Sequence, residues 1–152
     1  MPKEPHLSAA TTGAKLERIA GRHGIDGIYA FGSRARAAAA QLDALHSGPS
    51  LFDPGSDLDI GVRPFFGVRL TAKDRVELTL ELEDLFTAPR VDLVILLEAD
   101  PYLALEIVRG EVLYCADADE EARSQMVVLR RAADLAPFKR ERMRMILEEG
   151  AR

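Results

Sequence analysis

The run Val91-Asp92-Leu93-Val94-Ile95-Leu96 constrains the fold more than any other stretch of the chain. β-branched and aliphatic side chains fall on both faces, one charge interrupts them, and six residues are too few for a helix, so the run predicts a strand. Helical patterns stand on either side of it. Thr71 and Asp74 resemble a capping box with Asp in place of Glu, opening a helix with Leu78, Leu82, Leu85 and Phe86 on one face and Pro89 as its stop. Beyond the run, Asp100-Pro101 reads as a helix cap and first position, Gly110 closes that helix, and Glu111 to Cys115 adds a strand. The N-terminal part alternates as well. It reads as a helix from Ala14 to His23 ended by Gly24, a turn over Gly24 to Gly27, a strand from Ile28 to Phe31, and a helix from Arg34 to about Leu45. An irregular loop through Pro54-Gly55 leads to a strand at Leu58 to Val62, which Pro64 limits. From Ala118 the pattern is helical to the end, bent or interrupted at Pro137. This order implies an α/β domain around a small mixed β-sheet flanked by helices: residues 1–117 form the domain and 118–152 a helical C-terminal extension of it.

Composition narrows the function classes. Cys115 is the single cysteine, which excludes an intramolecular disulfide or a cysteine zinc cage and points to a reducing, cytoplasmic setting. No apolar run reaches the length of a membrane span, and the N-terminal stretch lacks the apolar block of a signal peptide. A net charge of −5 argues against a chain that coats nucleic acid. The charge is uneven: residues 123–152 hold eight Lys or Arg against four Asp or Glu, leaving the body strongly acidic. Such a tail is either a contact surface for a protein partner or a solvated helix. Its apolar residues Met126, Leu129, Met143, Ile146 and Leu147 are expected to pack mostly on the domain's own sheet.

Three carboxylates sit where a carboxylate is costly. Asp57 and Asp59 are two apart at a strand, so they share a face, and Asp92 interrupts the apolar run and joins them if the two strands are neighbours. Like charges held together repel unless a cation sits among them, and oxygen-only ligation suits Mg²⁺ or Mn²⁺ rather than zinc. Asp92 could instead be a strand-end carboxylate paired with Arg90. The second feature is the strand-to-helix turn Phe31-Gly32-Ser33-Arg34, where glycine permits close backbone approach, the helix N-terminus attracts anions, and Arg34 and Arg36 add positive charge. Both arginines could also be solvent-facing helix residues. A phosphate cradle followed by a metal-binding carboxylate cluster is equipment for phosphoryl or nucleotidyl transfer. Asp53 reads as a turn residue; His6, His23 and His46 share no spacing and read as structural or surface residues; Cys115 reads as a half-buried strand residue.

The strings AFGSRAR, SDLDIGV and VDLVIL, in that order, resemble the signature of the polymerase-β-like nucleotidyltransferases, in particular the minimal nucleotidyltransferases of prokaryotic toxin–antitoxin pairs. The similarity runs from about Ile28 to Leu96, and LALEIVRGEVLY and AADLAPFKRERMRMIL look like its continuation. Ala37 stands where the family usually has glycine, and the linker from Ser33 to Asp57 is longer than is common. The resemblance implies that Gly32 and Ser33 hold the triphosphate of ATP, that Asp57 and Asp59 bind the metals, and that Asp92 completes the metal site and helps activate the attacking hydroxyl. It further implies transfer of AMP to a hydroxyl, a tyrosine of a partner HEPN-type toxin ribonuclease, with this chain as the antitoxin. The alternatives are an antitoxin that neutralises by binding alone and a stand-alone transferase acting on a small molecule or an RNA end.

Overall fold

Local signals start and stop most elements of the computed structural model, which describes residues 10–43 and 56–150. Helix α1 (Thr12–His23) is capped by the Thr11 hydroxyl, which accepts from the Ala14 N–H, and ends at Gly24 with φ 67°. Strand β1 (Ile25–Phe31) begins three residues earlier than the sequence pattern predicts. The polar-looking stretch Ile25-Asp26-Gly27 pairs with β2 through a bulge, so tertiary pairing overrides its turn chemistry. The next helix also differs from expectation: Gly32–Arg34 form a 3₁₀ turn, and α2 is confined to Ala35–Ala40. Asp53, His6, His46 and the predicted loop up to Gly55 lie outside the described residues.

Strand β2 (Asp57–Pro64) stops at Pro64 as expected. Helix α3 (Ala72–Phe86) has the predicted capping box in full, Thr71 bonding the Asp74 N–H and Asp74 bonding the Thr71 N–H. Its end is set by Thr87 in the left-handed region, φ 51°, ahead of Pro89. Strand β3 (Arg90–Ile95) follows, then helix α4 (Pro101–Arg109), whose Asp100 carboxylate accepts from the N–H groups of Tyr102 and Leu103. Strand β4 (Glu111–Cys115) and helix α5 (Ala118–Gly150) complete the order, and α5 runs through Pro137 without interruption.

The sheet order is β3-β2-β1-β4, with β2 and β3 parallel and the other pairs antiparallel. The parallel pair requires a crossover, which α3 supplies. Side chains alternate between the two sheet faces. Leu58, Ile60 and Val62 of β2 point into the core made with Leu16, Leu78, Leu82 and Phe86 of α1 and α3. On the opposite face, Tyr29 and Phe31 pack with Ile107 and Val108 of α4 and Val128 of α5. There a Cβ on Gly61 would stand 2.5 Å from the Ile107 side chain, so glycine is what lets α4 lie close on β2.

A charged cluster is buried on that second face, where the sequence offered no expectation of one. Arg63 of β2 lies 3.1 Å from Asp26 and 3.0 Å from Glu121 of α5, and the Tyr29 hydroxyl donates to Glu121. All four residues are buried. Burial, and then the bond to Glu121, push the Tyr29 hydroxyl well above its ordinary range, which keeps it a donor. The cluster joins the first turn of α5 to two strands. Arg63→Leu should therefore leave two carboxylates without their cation and lower stability by about 3–5 kcal/mol. A urea midpoint indistinguishable from that of the wild type would refute this account of how α5 is held.

Candidate active site

The register of β2 assembles the predicted residues. Asp57 and Asp59 precede Gly61 and Arg63 at a spacing of two, which puts both carboxylates on the face that carries α4 and α5. On one side Asp59 is the partner of Phe31, the last residue of β1, so it meets the turn that begins at Gly32. On the other it is the partner of Asp92, while Asp57 is the partner of Arg90. Paired residues of neighbouring strands point to the same face about 4.8 Å apart, so Asp57, Asp59, Arg90 and Asp92 form a two-by-two array.

Gly32 has φ 73°, in the left-handed region that favours glycine, and a Cβ there would stand 2.6 Å from Asp59 Oδ2. The turn and the central carboxylate are therefore in direct apposition, which only a residue without a side chain permits. Ser33 and Arg36 are exposed and Arg34 is half-buried, in the 3₁₀ turn and the start of α2 that follow. The predicted cradle thus lies beside the predicted carboxylates, and its helix opens with a tightened turn.

Electrostatics marks Asp59 as the strained member. Burial raises its pKa above the usual carboxylate range, and the charges of Asp92 and then Asp57 add to the rise. A bound cation would relieve that repulsion, and the donor set of hard carboxylate oxygens fits Mg²⁺ or Mn²⁺. Arg90 Nη2 lies 3.1 Å from Asp92 Oδ1, so the Arg90–Asp92 pairing raised from sequence is present. Among the described residues no three His, Cys, Asp or Glu side chains are gathered closely enough to hold an ion together. The Asp92 carboxylate is engaged by Arg90 while its charge still acts on Asp59.

Sequence reading missed two costly carboxylates, Asp26 and Glu121, which are buried in the Arg63 cluster. No local pattern announces them, because their partner is remote in sequence. Of the histidines, His23 accounts for itself structurally through Glu81, 2.9 Å away. Cys115 is half-buried on β4, as expected.

With the site in view, the chain can be placed: it belongs to the polymerase beta nucleotidyltransferase family, whose model matches residues 14–119. It is a nucleotidyltransferase by that membership. Among solved structures, a chain of a toxin–antitoxin complex with AMP-PNP matches with a TM-score of 0.66 at 19% identity, over 89% of this chain and 98% of that one. A chain of the toxin–antitoxin MntA-HepT gives 0.63 at 18%, over 90% and 97%. A chain of the complex of tri-AMPylated Shewanella oneidensis HEPN toxin with MNT antitoxin gives 0.61 at 19%, over 90% and 96%. At such identities these likenesses establish a shared fold. Comparison with curated proteins by sequence gave no match.

The apposition of Gly32 and Asp59 yields a test. Gly32→Val forces a side chain into both a left-handed turn and the carboxylate, so stability should fall by roughly 1–2 kcal/mol and ATP affinity should be lost. Wild-type ATP affinity by calorimetry in folded Gly32→Val protein would put the phosphate site elsewhere.

Proposed function

We propose that this chain is the antitoxin of a toxin–antitoxin pair and silences a HEPN-type toxin by transferring AMP from ATP to a tyrosine hydroxyl of it, in the cytoplasm and with Mg²⁺ or Mn²⁺. The observation that carries the reading is the apposition of the Gly32 turn and the Asp59 carboxylate, too close to admit a side chain at Gly32, with Asp57 and Asp92 on the same sheet face. Family membership supports the transfer chemistry. The likeness to chains of toxin–antitoxin complexes, one of them holding a tri-AMPylated HEPN toxin with its MNT antitoxin, supports a toxin as the acceptor. Residues 1–117 form the transferase domain and 118–152 an extension of the same domain.

In this reading the Gly32 and Ser33 N–H groups and the Ser33 hydroxyl bind the triphosphate, assisted by Arg34 and Arg36. Asp57 and Asp59 would hold the divalent cations, and Asp92 would complete the set and help activate the attacking hydroxyl. Cations held there would supply charge that lowers the pKa of that hydroxyl and neutralises the leaving pyrophosphate. The protein's own share is alignment and a fixed field.

The acceptor has to be brought by a partner, and α5 offers a surface for one. At about 1.5 Å per residue its 33 residues span roughly 50 Å, yet only Glu121, Val128 and Ala132 are buried. The expectation that its apolar residues pack on the sheet fails: Met126, Leu129, Met143, Ile146 and Leu147 are all exposed, the first two on the outward side of the docked turns and the others beyond Ala132, the last buried residue of the helix. Its distal half and Tyr102 line a groove of about 440 Å³ with Leu135, Phe138 and Arg142, and Lys139 sits 4.0 Å over the Tyr102 ring. Apolar patches of this kind mark interaction surfaces. A toxin helix bearing acidic residues suits it.

Incubation with ATP labelled at the α-phosphate, Mg²⁺ and the co-purified partner tests the proposal. Label on the partner is expected. A stable complex without label would favour neutralisation by binding alone, a reading to which the Arg90–Asp92 pair lends weight, and label on RNA or a small hydroxyl compound would favour a stand-alone transferase. Asp57→Asn and Asp59→Asn should each lower transfer by about 10³-fold or more, since losing a cation removes several kcal/mol of transition-state stabilisation. Near-normal turnover by either variant would overturn the metal-dependent mechanism.

A further inference from the structure

Arg90 has no part in the chemistry described so far, although it occupies one corner of the array. It is the register partner of Asp57, and its guanidinium lies 3.1 Å from Asp92 Oδ1. Arg90 and Asp92 are two apart on β3 and so share the site face, which lets the long arginine side chain fold back along its own strand. The backbone beneath is tied down: Pro89 precedes it, and the Val91 N–H donates to Glu83 of α3 at 3.1 Å. The root of Arg90 is fixed while its head is free to choose among neighbouring carboxylates.

Exposure determines what kind of pair this is. The Arg90 and Asp92 side chains are 66% and 42% exposed, in contrast to the Arg63 pairs of the same sheet, whose members are all under 10%. A buried pair would lock Asp92 permanently, whereas an exposed one is weak, hydrated and exchangeable. A divalent cation held by Asp57 and Asp59 would compete for Asp92 with twice the charge of a guanidinium.

We propose that Arg90 is a latch on Asp92: a positioning residue that holds the third carboxylate of the site until a divalent cation displaces it. The inference rests on the metal-dependent reading of Asp57 and Asp59. It accounts for a third carboxylate that lies in register with Asp59 and is yet paired with a guanidinium. The latch also keeps three adjacent negative charges from standing uncompensated when no cation is bound.

Titration of the nucleotide-free protein with Mn²⁺, following free Mn²⁺ by electron paramagnetic resonance, tests this without recourse to activity. Arg90→Gln should bind Mn²⁺ about three- to fivefold more tightly than wild type, the range in which an exposed pair competes, and Arg90→Lys should fall between. In an Asp92→Asn background the same Arg90→Gln change should have no effect. Unchanged or weaker Mn²⁺ binding by Arg90→Gln would overturn the latch. So would equal tightening with and without Asp92, which would reveal a general charge effect. If the folded wild type itself bound no Mn²⁺, the metal reading would fail and the latch with it; binding that Asp57→Asn abolishes keeps the two questions separate.

Discussion

The register of β2 between its two neighbours is the constraint on which the site depends. Phe31 opposite Asp59 delivers the Gly32 turn to a carboxylate, and Asp59 opposite Asp92 brings in a residue more than thirty positions away. A one-residue slip would send Asp57 and Asp59 to the other face and expose Leu58, Ile60 and Val62. The energy that prevents it is apolar: those three residues are fully buried in the core built with α1 and α3. The hydrophobic face of the strand thus positions the polar one.

The same alternation gives the second face two unlike ends. At the start of β2 the face is open and carries Asp57 and Asp59. Further along, Gly61 admits α4 and Arg63 is enclosed beneath α5 with Asp26, Tyr29 and Glu121. Charge appears at both ends under opposite conditions. The enclosed end neutralises its carboxylates with a buried guanidinium, as burial demands, while the open end leaves Asp59 under strain with Arg90 as an exposed and replaceable counter-charge. One end is a fastening and the other is the candidate site.

Anchoring by Glu121 also accounts for the form of α5. Fixed at its first turn, the helix leaves the sheet after Ala132 and carries its remaining apolar residues into solvent. Exposed apolar surface of this kind is what an interaction site presents.

Much of the fold was legible along the chain because its signals are local: the Thr71 capping box, the Asp100 cap, Gly24 and the aliphatic run of β3 declare themselves within a few residues. The candidate site residues stood out for the same reason, since a Gly-Ser turn and an Asp-x-Asp pair each occupy one short element. Local chemistry misled where pairing or solvent decided the outcome. Ile25-Asp26-Gly27 joined a strand because β2 supplied partners, α2 shortened behind a 3₁₀ turn, and the apolar residues of α5 stayed exposed because the helix docks through Glu121, Val128 and Ala132 alone. Sequence by itself determined which residue types were present and the period that set their faces. Only the tertiary structure decided which distant charges met, because strand register and helix docking are set by the whole core: Glu121 with Arg63 in the interior, and Arg90 with Asp92 at the edge of the site.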